Sequence, residues 1–120
     1  MLVQLSDLNL LTWQWHDAGL YSIRIEYSEE GDLSLYLRTE INEFEDNSQL
    51  QELGISTLFV EIQFQRVGFL QLISHADCAM REVILDWDFV KSDPRHHIIK
   101  GSCGSIIELK FEDVWLQPLT

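Results

Sequence analysis

The fold is decided by residues 23–37, IRIEYSEEGDLSLYL. In this stretch two segments of alternating apolar and polar side chains flank a turn that contains Gly31. Apolar side chains occupy every second position in both segments, which is typical of strands with one face in a core. A loop of residues 29–31 sets these apolar side chains opposite each other, whereas a shorter loop would set apolar against polar. Gly31 then takes the left-handed position, which glycine adopts without strain. The predicted pairs are Ile23 with Leu37, Ile25 with Leu35, and Tyr27 with Leu33.

Two further turns are predicted in the second half of the chain. A loop of residues 102–104 places Gly104 in the left-handed position between two strands. Residues 66–68 either close another hairpin or form a bulge in one long bent strand, because Val67 is a poor turn residue. For the loop at residues 102–104 the predicted pairs are Ile99 with Ile107 and His97 with Leu109.

Alternation through the rest of the chain predicts an all-β fold. It recurs in residues 58–65, 83–89 and 107–111, with turn signals between these segments. We therefore expect a single antiparallel domain over residues 1–120, a β-sandwich or curled sheet built from hairpins. A short helical turn is expected at residues 48–53, and either a turn or a single helical turn at residues 75–80. On the segment near residue 85 we expect one face to hold Val83, Leu85, Trp87 and Phe89.

The charge of the chain restricts its partners. The formal net charge is -12, and residues 1–65 hold twelve acidic side chains but only Arg24 and Arg38 as basic ones. No basic cluster exists that could neutralise nucleic-acid phosphates or bind an anionic membrane. No apolar run approaches the roughly 18 residues that a membrane span needs. We therefore expect no nucleic acid and no membrane among the partners, and attraction of basic proteins.

The most acidic connection in the chain is the candidate binding surface. Glu40, Glu43, Glu45 and Asp46 lie in a stretch with few large apolar side chains, and we expect them to meet a basic protein partner. The alternative is that net charge only keeps the chain dispersed.

Cysteines and histidines give no catalytic or metal motif. Cys78 and Cys103 form no Cys-x-x-Cys pair, and residues 1–7 lack the pattern of a secretory signal. One disulfide between them is the alternative, but we expect two free thiols and a cytoplasmic location. The four histidines, His16, His75, His96 and His97, have no ligand spacing that specifies a metal. We therefore expect no enzyme, cofactor or metal, with a metal-dependent enzyme as the third hypothesis after two binding functions.

The second binding hypothesis rests on the tryptophans. Tryptophan side chains more often build a core than a ligand platform. If Trp13, Trp15 or Trp115 were exposed, the chain could instead bind a sugar or a metabolite.

Both ends of the strand pattern resemble a known class. Residues 15–23, WHDAGLYSI, lead into the first hairpin, and residues 107–114, IELKFEDV, close the last one. This layout resembles small bacterial β-rich proteins of the immunity-protein-like class, several of which are domains of unknown function. The resemblance implies cytoplasmic binding of a cognate toxin, and it assigns no functional residue. An acidic N-terminal half would suit a basic toxin domain such as a nuclease.

Overall fold

Strands make up most of the computed structural model, which describes residues 2–5, 15–43, 48–73 and 82–119. In these ranges nine strands form two antiparallel sheets with one short helix, which confirms the all-β prediction. No helix in them is long and apolar enough to cross a membrane. The strands are β1 (Val3–Gln4), β2 (Gly19–Tyr27), β3 (Leu33–Glu40), β4 (Phe59–Gln65), β5 (Phe69–Ile73), β6 (Ile84–Val90), β7 (Asp93–Gly101), β8 (Ile106–Lys110) and β9 (Asp113–Pro118), and the helix is α1 (Ser48–Glu52).

The two sheets have distinct strand orders. The five-stranded sheet has the order β1-β9-β4-β3-β2, and the four-stranded sheet has the order β5-β8-β7-β6. Helix α1 lies within the predicted helical turn at residues 48–53 and is followed by Gly54, whose φ is 75°. The second predicted turn, at residues 75–80, lies outside the described residues.

Both glycine turns set the predicted registers. Gly31 has φ 88° and Gly104 has φ 89°, so each occupies the left-handed region that the loop type requires. All five predicted pairs are confirmed: Ile23 with Leu37, Ile25 with Leu35, Tyr27 with Leu33, Ile99 with Ile107, and His97 with Leu109.

The third turn is a bend and not a hairpin. Arg66 has φ 52°, and the chain passes from β4 in one sheet directly to β5 in the other. The β8–β9 chain bends beside it, with the Gly68 amide donating to the Lys110 carbonyl at 2.9 Å. Since β4 pairs with β9 and β5 pairs with β8, two long bent strands run through both sheets. Strands that switch sheets in this way form the corners of barrel-like sandwiches.

A second connection joins the sheets on the opposite side. Gly19 at the start of β2 forms an antiparallel bridge with Val83, just before β6. The Leu20 amide donates to the Glu82 carbonyl at 2.9 Å, and the Ile84 amide to the Ala18 carbonyl at 2.8 Å. The sheets therefore enclose one core between the bent strands and this bridge. Its fully buried apolar side chains include Leu35, Leu37, Val60, Ile62, Phe64, Ile84, Ile99, Ile107, Leu109 and Leu116.

Two predicted core faces are corrected. Ile25 is 43% exposed and Tyr27 is 73% exposed, although their registers are as predicted. The reason is that β2 is an edge strand, so only the Leu35 side of each pair is covered by the core. In β6 the register shifts between Ile84 and Asp86, which buries Ile84 and leaves Leu85 exposed, opposite to the expected alternation. Beyond the shift Trp87 packs against the core, as predicted.

The cysteine prediction is wrong. Cys103 forms a disulfide, and the sequence holds one other cysteine, Cys78, outside the described residues. The sequence pattern did not reveal that Glu82 and Val83 lie against the turn containing Cys103. The Cys103 amide donates to the Glu82 carboxylate at 2.9 Å. Because disulfides persist mainly in oxidising compartments, the bond does not favour the cytoplasmic location expected from the sequence.

Candidate functional site

A cavity of about 380 Å³ opens where β2 and β6 join the two sheets. Three carboxylate residues line it: Asp17 before β2, Glu40 at the end of β3, and Glu43 just beyond. We call this the acidic cavity. Its other described lining residues are Gly19, Ile41, Asn42 and Val83.

Backbone geometry places Asp17 in this cavity. Asp17 has φ 63°, a left-handed conformation that Asp and Asn tolerate better than most residues. Its amide donates to the Ile84 carbonyl at 2.7 Å, which fixes the turn against β6. The His16 Nδ1 atom lies 3.2 Å from the Asp17 carboxylate, and both side chains are exposed.

Strand pairing brings the other two carboxylates to the same place. Gly19 lies opposite Glu40 in the β2–β3 register, so the turn before β2 meets the chain that leaves β3. The Tyr21 hydroxyl donates to the Glu40 carboxylate, while Glu43 is exposed. Of the predicted acidic residues, Glu40 and Glu43 therefore come together, and Glu45 and Asp46 lie outside the described residues.

Asp17 was not among the predicted binding residues. It is separated from Glu40 by more than twenty positions in the sequence. The confirmed β2–β3 register carries the missing signal, because extending it past Gly19 brings Asp17 to the Glu40 end of β3.

The charge of the acidic cavity favours cations. None of its described lining residues is a lysine or arginine. The two basic residues of residues 1–65 pair with Glu61, which does not line the cavity. Arg38 Nε lies 2.9 Å from the Glu61 carboxylate, and Arg24 Nη2 lies 3.9 Å from it. In the described ranges, no group of three or more His, Cys, Asp or Glu side chains is arranged to hold a metal ion.

Glu61 anchors a polar network on the outward face of the five-stranded sheet. It is only 5% exposed although it points away from the core, because longer side chains cover it. The Gln63 amide donates to Glu61 at 2.9 Å, and the Arg24 guanidinium lies 4.4 Å from the centre of the Tyr36 ring. Such a paired and hydrogen-bonded carboxylate fixes side-chain positions across three strands.

An aromatic cavity of about 360 Å³ lies beside the acidic cavity. The rings of Tyr21 and Phe59 form its walls, with their centroids 5.8 Å apart, and both side chains are exposed. Glu40 connects the two cavities because it lines the first and accepts the Tyr21 hydrogen bond beside the second. Aromatic and arginine side chains are enriched where proteins bind each other tightly, and Arg38 also lines this cavity.

Two histidines hold structural positions. His97 is fully buried; its Nδ1 accepts a hydrogen bond from Trp87 Nε1 at 2.8 Å, and its Nε2 lies 2.7 Å from the Pro94 carbonyl oxygen. Because an indole N–H only donates and a carbonyl only accepts, His97 is the neutral tautomer with the proton on Nε2. His96 lies 2.6 Å from Glu108 on the other face of the sheet, and His75 lies outside the described residues.

The tryptophans in the described ranges form no exposed platform of the kind that the second hypothesis named. Trp15 is buried and stacks on Trp87 with ring centroids 4.6 Å apart, so it is a core residue, as tryptophan side chains more often are. Trp115 is half-buried on β9, and Trp13 lies outside the described residues. The surface aromatics beside the acidic cavity are Tyr21 and Phe59, which strand alternation alone did not single out.

Comparison with known proteins finds no family model that matches the chain, no similar curated protein and no similar solved structure.

Proposed function

We propose that this chain is a non-catalytic protein-binding module that receives a basic partner at the acidic cavity, as an immunity-like protein would neutralise a basic toxin domain. The observation that carries the proposal is the convergence of Asp17, Glu40 and Glu43 on one cavity whose described lining holds no basic side chain. Sequence alone placed only two of these three together.

The charge and the surface side chains of this protein support a positively charged protein partner. A net charge of -12 attracts basic proteins over a distance of about one Debye length, roughly 10 Å at 0.1 M salt. At short range the acidic cavity can accept a lysine or arginine side chain, while Tyr21 and Phe59 offer apolar contact area beside it. Charge supplies the association rate, and the aromatic side chains supply the desolvated contact.

Affinity capture with matched variants tests the proposal. The Asp17→Asn, Glu43→Gln double variant removes two charges from the acidic cavity while keeping side-chain shape and the left-handed conformation at residue 17. The control, Glu29→Gln with Glu30→Gln, removes two charges from the exposed β2–β3 turn. Glu40 is left unchanged because it also holds Tyr21.

We expect wild type and control to recover the same basic protein from lysate of the source cell at about 50 mM salt and to lose it at about 500 mM. The cavity variant should recover much less of it at low salt. Equal recovery by the cavity variant and the control, or the absence of any salt-sensitive basic partner, would contradict the proposal.

The small-ligand hypothesis is tested separately. A sugar or metabolite that bound beside Tyr21 or Trp115 would change the intrinsic fluorescence of the protein. We expect no change across a panel of such ligands, and a saturable change would favour the second function over the first.

A further inference from the structure

Among the described strands, the edge strand β5 differs in charge from the edge strands β2 and β6, and it is longer than the uncharged two-residue edge strand β1. In the described part of the chain, β5 pairs with β8 on one side and with no strand on the other. The opposite edge of that sheet, β6, carries Asp86 and Asp88, and the β2 edge of the other sheet carries Arg24 and Glu26. Charged side chains at an edge prevent strands of separate molecules from pairing.

Among the described residues, strand β5 carries no such protecting charge. Its sequence is FLQLI, and residues 67–74 contain no charged side chain in a chain with 20 acidic and 8 basic ones. Phe69 is 41% exposed and Ile73 is 42% exposed, and Leu72 is exposed as well. An uncharged, apolar edge strand is a template for pairing with another strand.

The strand is also self-complementary about Gln71. Phe69 and Ile73 lie opposite Lys110 and Ile106 of β8 and therefore share one face with Gln71. Leu70 and Leu72 lie opposite Leu109 and Ile107 and share the other face. When two such strands run antiparallel with Gln71 opposite Gln71, every apolar side chain meets an apolar one on its own face.

We propose that two copies of this chain associate through their β5 strands, antiparallel and centred on Gln71. Phe69 then lies opposite Ile73 of the second copy, and Leu70 opposite Leu72 of the second copy. The two four-stranded sheets become one continuous sheet across a twofold axis, which is the commonest symmetry of homodimers.

The charge distribution favours a second copy of this chain as the molecule that binds at the β5 edge. Two chains of net charge -12 repel each other electrostatically. This repulsion is smallest when the two copies meet at a strand that carries no charge. A basic partner gains nothing from an uncharged edge. The second copy offers the matching apolar strand without placing like charges opposite each other.

The contact is small, and its salt dependence is opposite to that of the proposed partner binding. Pairing through one five-residue strand belongs with interfaces below about 1,200 Å², which are weak and transient. We therefore expect a dimer that forms at high protein concentration. Salt screens the repulsion between the copies and strengthens the dimer, whereas it weakens the binding of a basic protein, so either proposal can fail without the other.

Sedimentation equilibrium on the full chain, between about 10 µM and 1 mM, tests the proposal at low and high salt. Gln71→Lys and Gln71→Glu each place like charges opposite each other at the twofold axis, so both variants should remain monomeric. An equimolar mixture of the two should recover the dimer, because opposite charges then face each other. Gln51→Lys, at an exposed position on α1, makes the same charge change and should behave as wild type.

Circular dichroism checks that each variant is folded, which is expected because Gln71 is exposed. A wild type that stays monomeric across the whole range at both salt concentrations would overturn the proposal. A Gln71→Lys variant that dimerises as wild type does would also overturn it, because the interface would then lie elsewhere.

Discussion

Gly31→Ala is expected to destabilise the fold through backbone conformation alone. Gly31 has φ 88°, and a Cβ added there would meet no atom within 4 Å, so alanine would add no steric clash. The cost is that of holding an L-residue in the left-handed region, about 1–2 kcal/mol. For a chain of 120 residues this lowers the melting temperature by about 4–8 °C.

Gly68→Ala is the matched control for this prediction. A Cβ at Gly68 would also meet no atom within 4 Å, but its φ is outside the left-handed region. Alanine there should be neutral or slightly stabilising because it restricts the unfolded chain. Thermal and urea unfolding of both variants measure the difference. Equal stability of Gly31→Ala and Gly68→Ala would refute the argument that this glycine sets the β2–β3 register.

Two further predictions concern the core. Trp87→Phe removes the donor to His97 Nδ1 and leaves a buried acceptor unsatisfied, so urea unfolding should show a loss of about 1–3 kcal/mol; unchanged stability would contradict the hydrogen bond. Leu35→Ala should cost about 2–5 kcal/mol because Leu35 is fully buried, while Ile25→Ala opposite it should cost less than half as much because Ile25 is 43% exposed. Equal losses would show that the β2 edge is covered.

Short-range chemistry explains why the registers could be predicted from the sequence. At Gly31 and Gly104 the loop length, the need for a left-handed residue and the alternation of apolar side chains all select one pairing. At residues 66–68 the same rules allowed either a hairpin or a bulge in one long bent strand, because Val67 is a poor turn residue. Only packing against β8 and β9, far away in the sequence, selects the bent strand.

Burial and site assembly were less predictable because they depend on tertiary neighbours. The bulge near Leu85 reverses the expected burial of Ile84 and Leu85, and no residue type in that stretch indicates a bulge. Ile25 has the same pattern as a core residue, yet its strand lies at an edge. The acidic cavity required Asp17 to meet Glu43 across two strands, so composition could indicate a basic partner but not the complete set of carboxylates.

The central claim is that the acidic cavity binds a basic protein, and the affinity of the captured partner for two double variants tests it most directly. At low salt, isothermal titration should show that the Asp17→Asn, Glu43→Gln variant binds the partner about tenfold more weakly than the Glu29→Gln, Glu30→Gln variant does. A tenfold loss of affinity corresponds to about 1.4 kcal/mol, which the two removed charges share. The same affinity for both variants would contradict the claim, because the cavity carboxylates would then contribute only net charge.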